Sequence, residues 1–310
     1  MGIGLIADLA VGALAGGSQA WSRQDELLAA LDVGAPPDIL NRDGQAWGIT
    51  AFSPVGLRRH GYRAFIEMLR ANLANVGGLR IDHVMGLQRL WVIPEGAKSE
   101  EGAYLYYPFD DLLRIVCLEA TRANALIIGE DLGTVPDGLR ERLAQRNILG
   151  TRVLIFEQQH GRFPEPAHWS ADATATSTTH DLPSLNGWFA GRDIDWRQRL
   201  GQSAQSADDD RRHRDWEQRT LREALAPLQG DSHDPLQAAA AYLGETPAPL
   251  VLLPLEDALG SDEQPNLPGP GDEHPNWRRR WPQPAAQLLD APEVQQRLGR
   301  LDQARRRQRP

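Results

Sequence analysis

Six short apolar, β-rich runs, each ending in an acidic residue or a His-Asp pair, constrain the fold of this chain most strongly. They read GIGLIADL, GGLRIDHV, ALIIGEDLG, TRVLIFEQ, ATSTTHDLP and APLVLLPLEDAL, and helical patterns such as GYRAFIEMLRANLANV and DDLLRIVCLEATRANA lie between them. Continuously apolar strands that alternate with helices are typical of a parallel α/β fold. Because polar residues follow successive strands, the pattern favours a TIM barrel, whose active site collects at the carboxyl ends of its strands.

Composition narrows the classes of partner. The 310-residue chain carries a net charge of −9, which argues against nucleic acid or an anionic membrane as its main partner. No run approaches the ~20 apolar residues of a membrane span, and the first segment lacks the basic region of a signal peptide. The single cysteine, Cys117, favours a reducing compartment. We therefore expect a cytoplasmic protein that binds neither nucleic acid nor membranes.

Two segments depart from the alternation of strands and helices. The segment LDVGAPPDILNRDGQAWGITAF is rich in Pro, Gly and Asn, and it predicts a long functional loop that we place at residues 34–56. Residues around 195–240 predict a helical insertion, and the mixed charges of DDDRRHRDWEQR within it indicate a helix face that is exposed to solvent. The basic end of the chain, LDQARRRQRP, is expected to fray.

Three of the strand ends carry carboxylates that suit one site, namely Asp82, Glu130 and Asp181. If the barrel prediction holds, they converge, and glycoside chemistry needs two carboxylates flanking the bond, one as nucleophile and one as acid/base. Arg80 lies two residues before Asp82, so both side chains point to the same side of the strand. A neighbouring guanidinium favours the ionised, nucleophilic form of Asp82.

Other interpretations of these residues stay open at this level. An acidic residue at a strand end often caps the following helix, and Asp131, beside Glu130, is a candidate for such a cap. Acidic residues on successive barrel strands also bind Mg²⁺ in enolase-like enzymes, which use a Lys or His base, and His83 and His180 adjoin two of the carboxylates. The pattern alone does not separate a glycosidase site from a magnesium site.

Longer motifs resemble one family. LRIDHVMGLQRLWVIPEGA, GAYLYYPFDDLLRI, IIGEDLGTVP, ILGTRVLIFEQ and THDLP are similar to segments of 4-α-glucanotransferases, also called amylomaltases or disproportionating enzymes, which form glycoside hydrolase family 77 and are related to the α-amylases. GIGLIADLAVG, GAPPDILNRDGQAWG and NLPGPGDEHPNWRRR resemble the family too, so the resemblance covers nearly the whole chain. It implies a (β/α)₈ barrel with no metal or organic cofactor that transfers α-1,4-glucan segments.

The resemblance also implies roles for individual residues. Asp82 matches the nucleophile, Glu130 the general acid/base and Asp181 the transition-state stabiliser. The substrate-binding residues that it implies are Arg80, His180, Asp8, Gln45 and Trp47. The last two belong to the 34–56 loop on the acceptor side, where the indole of Trp47 would stack on a glucose ring. Ala46, between them, departs from the family, in which a longer polar residue is expected.

The function implied is retaining transglycosylation of maltooligosaccharides or other α-glucans. Asp82 would attack the anomeric carbon while protonated Glu130 protonates the leaving oxygen, and a second glucan would resolve the glucosyl-enzyme with Glu130 as base. An α-amylase-type hydrolase would use the same carboxylates with water as acceptor. A catalytically inactive glucan-binding remnant would keep Trp47 and its loop without turnover.

The number of strands adds an expectation about completeness. A closed barrel of this class needs eight strands, and the segment that GIGLIADLAVG resembles is the third strand in the α-amylase relatives. On this reading, residues 1–310 form a partial catalytic barrel with strands three to eight present and strands one and two missing. Exposed strand edges favour aggregation. We therefore expect residues 1–310 to be a fragment that is poorly soluble and inactive on maltotriose.

Overall fold

The computed structural model describes residues 2–37, 44–203, 206–230, 233–269 and 273–308. The chain divides into two compact units, Met1–Thr151 and Arg152–Pro310, called unit 1 and unit 2 below and described separately. Among the helices of the described residues, none is both long and apolar enough to cross a membrane. The prediction of one partial barrel over residues 1–310 stays a prediction.

Unit 1 contains two sheets and the helices that cover them. Its strands are β1 (Ile6–Leu9), β2 (Ala13–Leu14), β3 (Leu31–Ala35), β4 (Gln45–Thr50), β5 (Gly78–Ile81), β6 (Arg89–Pro94), β7 (Ala103–Tyr106) and β8 (Leu126–Gly129). Its helices are α1 (Ser18–Ser22), α2 (Pro54–Arg59), α3 (Arg63–Leu73), α4 (Phe109–Ala123) and α5 (Leu139–Ala144). A further strand, β9 (Gly150–Val153), crosses the boundary between the two units.

The parallel sheet of unit 1 has the order β1-β5-β8. Its register places Asp8 opposite Arg80 and Ile81 opposite Gly129. Amphipathic helices α3 and α4 bury their apolar faces in the same core as the strands, and Leu69, Leu79 and Leu113 are almost fully inaccessible. This confirms the predicted strands and helices of this segment, and it brings the carboxyl ends of three strands side by side.

The second sheet of unit 1 is antiparallel, with the order β2-β4-β3-β6-β7. Strands β3 and β4 and helix α2 occupy much of the segment predicted as a loop over residues 34–56, so that prediction is wrong for these parts. The physical reason is the alternation along β4, in which Gln45, Trp47 and Ile49 share the less exposed face. Residues 38–43 of the predicted loop lie outside the described residues.

Strand β3 approaches β4 closely at Gly34. The register between the two strands shifts between Val33 and Gly34, and a Cβ at Gly34 would lie 1.8 Å from the carbonyl oxygen of Gln45. Any side chain at this position would therefore push β4 away, and glycine is required for the pairing. The close approach at Gly34 therefore holds β3 against the start of β4, the part of the strand that carries Gln45 and Trp47.

Unit 2 holds the remaining strands and helices. The sheet order is β11-β10-β9. The strands are β10 (Ala173–Thr176) and β11 (Leu250–Leu252), and the helices are α6 (Leu185–Ala190), α7 (Arg192–Arg199), α8 (Ala207–Leu225), α9 (Pro235–Gly244), α10 (Leu255–Leu259) and α11 (Pro292–Gln308). The predicted helicity of the 195–240 segment is confirmed by α7, α8 and α9.

The end of the chain is more ordered than its basic composition predicts. Helix α11 continues to Gln308, so the expectation that LDQARRRQRP frays is wrong up to that residue. The reason is packing, because α11 lies against α9 and buries Val294 and Ala304. Arg297 of α11 also donates to the carboxylate of Asp234 at 3.2 Å.

Candidate functional site

A shared guanidinium organises the carboxylates at the ends of β1 and β5. Arg80 Nη1 lies 2.7 and 2.9 Å from the two oxygens of Asp8 and 2.8 Å from Oδ1 of Asp82. Burial lowers the pKa of Arg80, but the negative charges of Asp82 and Asp8 outweigh burial and raise that pKa above its ordinary value. The structure thus joins three of the sequence-predicted residues, with Asp82 38% exposed and held against a permanent positive charge.

Glu130 follows β8 in a different environment. The residue is 9% exposed, and its carboxylate accepts hydrogen bonds from the backbone N–H of His83 at 2.9 Å and of Leu132 at 2.6 Å. Burial raises the pKa of Glu130 to about 7, and the charge of Asp82 adds to the rise. The hydrogen bonds from the two backbone N–H groups and the positive charge of Arg80 lower this pKa, but by less than burial and the charge of Asp82 raise it. Near neutral pH this carboxyl group therefore both holds and releases a proton.

The two neighbouring strand ends of unit 1 thus present two carboxyl groups with different chemistry. Asp82 is ion-paired and partly exposed, whereas Glu130 is buried and titrates near neutrality. When the surroundings of two neighbouring carboxyl groups move their pKa values apart, the ionised group is suited to act as nucleophile and the protonated group as proton donor. The arrangement suits reactions in which a leaving oxygen is protonated while a carboxylate attacks.

Asp131 has a structural function in unit 1, and the interpretation of this residue as a helix cap is wrong. Its side chain is fully buried, Arg140 Nε donates to Oδ2 at 2.6 Å, and the N–H of Thr151 donates to Oδ1 at 2.6 Å. The next helix, α5, begins only after Gly138. Asp131 therefore ties the turn after Glu130 to the start of β9.

His83 follows Asp82 in a left-handed backbone conformation, with φ 44° and ψ 61°. Burial, together with the positive charge of Arg89, lowers the pKa of its imidazole to about 4. The ring and the indole of Trp47 pack in a T-shaped arrangement, with 5.3 Å between ring centroids and 75° between planes. At neutral pH the residue is therefore an uncharged aromatic neighbour of Trp47.

Gln45 and Trp47 lie on β4 and form part of a cleft of about 160 Å³ in unit 1. The indole N–H of Trp47 donates to Oε1 of Gln45 at 3.0 Å, which fixes both side chains. The cleft is also lined by His83, Arg89, Trp91, Tyr104 and Leu132. Its aromatic walls suit the flat faces of sugar rings, as the sequence predicts for Trp47.

The other predicted residues, His180 and Asp181, lie in unit 2 after β10. His180 Nε2 is 3.2 Å from Oδ2 of Asp181. Asn266 donates its side-chain amide to Oδ1 of Asp181 at 2.5 Å, and Gln264 donates to the backbone carbonyl of Asp181 at 2.9 Å. Trp277 packs on the His180 ring at a centroid distance of 5.3 Å. The orientation of Asp181 is therefore fixed within unit 2.

The groups that support Asp181 and Glu130 could not be found from sequence spacing. Asn266 and Trp277 belong to NLPGPGDEHPNWRRR, a segment that contributes to the family resemblance, but no spacing rule links them to Asp181, which is 85 residues from Asn266. In unit 1, the backbone N–H donors to Glu130 were missed because their position depends on local backbone conformation. Only the resemblance of those segments could have indicated them.

The acidic residues at the strand ends also fit a magnesium site, an interpretation that the sequence pattern leaves open. Over the ranges described, no three His, Cys, Asp or Glu side chains are grouped so that they could hold a metal ion. At the ends of β1 and β5 the partner of the carboxylates is the guanidinium of Arg80, which contacts both Asp8 and Asp82.

Comparison with known proteins identifies the relatives of this chain. The family described as 4-alpha-glucanotransferase, glycoside hydrolase family 77, matches residues 1–285. The 4-alpha-glucanotransferase of Mycobacterium tuberculosis (strain H37Rv) is 40% identical over 290 residues, which are 90% of this chain and 40% of that protein. That of Haemophilus influenzae is 38% identical over 304 residues, or 92% of this chain and 43% of that protein. The chain thus spans less than half the length of these relatives.

Solved structures agree with this result. The amylomaltase from Corynebacterium glutamicum superposes with a TM-score of 0.86 at 31% identity, over 97% of this chain and 46% of that one. An amylomaltase from Streptococcus agalactiae in complex with acarbose superposes with a TM-score of 0.77 at 18% identity, over 97% of this chain and 57% of that one. The fold is therefore of the TIM-barrel type found in amylomaltases. The chain belongs to the 4-alpha-glucanotransferase family, glycoside hydrolase family 77.

Proposed function

We propose that this protein transfers α-1,4-glucan segments between maltooligosaccharides by a retaining double displacement. The observation that carries the proposal is the contrast in unit 1 between ion-paired Asp82 and buried Glu130, whose pKa lies near 7. Family membership and the named activity of relatives that are 38–40% identical support it.

In the first step, Asp82 attacks the anomeric carbon of the donor glucan. Protonated Glu130 gives its proton to the leaving oxygen, so the glycosidic bond breaks as the bond to Asp82 forms. The product is a glucosyl-enzyme. Arg80 favours the carboxylate form of Asp82 before the attack, and it also orients Asp82 through its contact with Asp8.

In the second step, the 4-hydroxyl of another glucan attacks the glucosyl-enzyme. Glu130, now ionised, accepts the hydroxyl proton, and Asp82 leaves as a carboxylate. A carboxyl group with a pKa near 7 suits both steps, because it can serve as acid and then as base at neutral pH. No metal ion or organic cofactor enters this scheme.

We assign the remaining residues by their match to the family. Asp181 acts as the transition-state stabiliser, and His180 binds the sugar at the cleaved bond. Asp8 is placed beside Arg80 at the end of β1, where it acts in substrate binding through that guanidinium. The hydrogen bonds from Asn266 and Gln264 support the role of Asp181, because they hold its carboxylate and backbone in one orientation.

Gln45 and Trp47 make the acceptor side of the proposed site. Water competes with the acceptor sugar for the glucosyl-enzyme, so a transferase must hold the sugar in place. The indole of Trp47 is held by its hydrogen bond to Gln45 and by its T-shaped contact with His83, and therefore offers a rigid stacking surface. The acarbose complex of the Streptococcus agalactiae amylomaltase is consistent with a glucan-like ligand for this fold.

We further infer that β1, β5, β8, β9, β10 and β11 are strands three to eight of an α-amylase-type barrel. Their chain order and the acidic residues that follow them support this assignment. We also infer a cytoplasmic location from the use of a single cysteine.

The test is disproportionation of maltotriose. Because the chain spans 46% of the Corynebacterium glutamicum amylomaltase, the assay uses a chimera in which this chain replaces the matched segment of that enzyme. We expect a ladder of longer and shorter maltooligosaccharides. Chimeras with Asp82→Asn or Glu130→Gln serve as matched controls that should lack it. Release of glucose and maltose without longer products would instead identify a hydrolase, and glucan binding without turnover an inactive remnant.

A further inference from the structure

His83 lies between Glu130 and the aromatic wall of the cleft that holds Trp47. Its left-handed backbone presents the N–H to Oε2 of Glu130 at 2.9 Å. Its imidazole packs against the indole of Trp47 in a T-shaped arrangement, at a centroid distance of 5.3 Å. A single residue thus contacts both the buried carboxyl group and the indole.

The second N–H donor to Glu130 belongs to the same cleft. Leu132 donates to Oε1 of Glu130 at 2.6 Å, and its side chain lines the cleft together with Trp47 and His83. Both hydrogen bonds that hold the Glu130 carboxylate therefore come from residues of the cleft lining. A change in the cleft that moves either residue must alter these bonds.

The charges around Glu130 leave the imidazole uncharged at neutral pH. Arg89 and burial hold His83 in its neutral form, so its contact with Trp47 is between two neutral rings. The charged groups that act on Glu130 are Asp82 and Arg80. His83 therefore influences Glu130 through position and hydrogen bonding and adds no positive charge.

We propose that His83 is a positioning residue that couples the acceptor cleft at Trp47 to the Glu130 carboxyl group. The functional meaning rests on the proposed function: an acceptor sugar stacked on Trp47 would hold His83 and, through it, the base that activates the sugar hydroxyl. A water molecule that acts as acceptor makes no such stacking contact with Trp47. The coupling thus favours transfer over hydrolysis.

The experiment is a double-mutant cycle read at Glu130 itself. The titration midpoint of the Glu130 carboxyl carbon is followed by NMR in the full chain labelled at glutamate, and Glu130→Gln identifies the resonance. We expect Trp47→Ala to raise the midpoint by about 0.5 pH unit or more, because a less firmly held His83 N–H stabilises the ionised carboxyl group less. In the His83→Asn background, Trp47→Ala should cause no further shift.

A matched control excludes a general effect of the substitution. His160 has a similar left-handed backbone, with φ 49°, but is exposed in unit 2, so His160→Asn should leave the midpoint and the Trp47→Ala shift unchanged. Asparagine tolerates this backbone conformation well. If His83→Asn does not fold, His83→Gly preserves the conformation without a side chain and gives the same test.

Two results would overturn the proposal. One is a Trp47→Ala shift of equal size with and without the His83 ring, and the other is no shift in either background. The double-mutant cycle does not depend on turnover. A chimera that is inactive on maltotriose would therefore refute the proposed function and leave the coupling measurable. In an active chimera, His83→Asn and Trp47→Ala should each lower the transfer-to-hydrolysis ratio, and the double variant should lower it no further than one of them.

Discussion

Replacing Glu130 with glutamine should make the stability of this protein less dependent on pH. The pKa of Glu130 rises from an ordinary value of 4.5 to about 7 in the folded chain because the group is buried. The folded state therefore binds this proton more tightly than the unfolded state. The stability that Glu130 contributes is fully present below about pH 4.5 and is lost as the pH rises through about 7.

The magnitude follows from the size of the rise. Each pH unit between folded and unfolded pKa values corresponds to about 1.4 kcal/mol, so a rise from 4.5 to about 7 corresponds to about 3 kcal/mol. Glu130 is only 9% exposed, so solvent screens the effect little. Glutamine does not titrate. The free energy of unfolding of the wild type, minus that of Glu130→Gln, should therefore fall by about 3 kcal/mol across this window.

Urea denaturation at a series of pH values from 4 to 8 measures this difference for both proteins. Glu119 provides a matched control, because it is also buried in unit 1 but is held by Arg70 at 2.8 Å and by Arg122 at 2.7 Å. Hydrogen bonding to Arg70 lowers the pKa of Glu119, so its contribution is present above pH 4.5 and is lost as the pH falls. The difference for Glu119→Gln should therefore be flat between pH 5 and 8.

A constant difference in the free energy of unfolding between wild type and Glu130→Gln over the same range would contradict this prediction. It would mean that Glu130 keeps an ordinary pKa in the folded chain and is ionised throughout. An acid/base that is already ionised at pH 5 could not protonate a leaving oxygen efficiently near neutral pH.

Four further predictions concern the activity of the amylomaltase chimera on maltotriose. Asp82→Asn should abolish transfer, and Glu130→Gln should slow it by ~10²–10⁴-fold, the usual loss for an acid/base; a variant that kept a tenth of the activity would contradict the role. Trp47→Ala should raise the ratio of hydrolysis to transfer, since ring stacking is worth about 1 kcal/mol, and an unchanged product ratio would count against the acceptor role. The rate of glucosyl-enzyme formation should fall above about pH 7, where Glu130 loses its proton, and a rate that stays level to pH 9 would contradict this. Asn266→Ala should lower turnover roughly tenfold or more by removing a hydrogen bond to charged Asp181, measured against the conservative Asn266→Gln.

Much of the fold was predictable because buried parallel strands appear in the sequence as continuous apolar runs. The runs that precede Asp82 and Glu130 form β5 and β8, and the register of β1 and β5 places Asp8 beside Arg80. The contact between Arg80 and Asp82 follows from their two-residue spacing on one strand. These features depend on local periodicity, which a sequence displays directly.

Other features depend on backbone conformation or on long-range contacts. The left-handed conformation of His83, which directs its N–H to Glu130, has no signature in the sequence around it. The strands of the 34–56 segment were missed because Pro and Gly outweighed the alternation along β4. Asn266 meets Asp181 only through the folding of unit 2. The roles of all these residues in catalysis stay predictions.

The proposed double displacement is tested by identifying the residue that carries the covalent glucosyl intermediate. The chimera with Glu130→Gln is treated with a maltosyl fluoride, whose fluoride leaves without protonation, so that the glucosyl-enzyme forms and persists. Peptide mapping by mass spectrometry then locates the adduct. We expect a maltosyl ester on Asp82, with none in the Asp82→Asn chimera. An adduct on another carboxylate, or products of inverted anomeric configuration with no adduct, would contradict it.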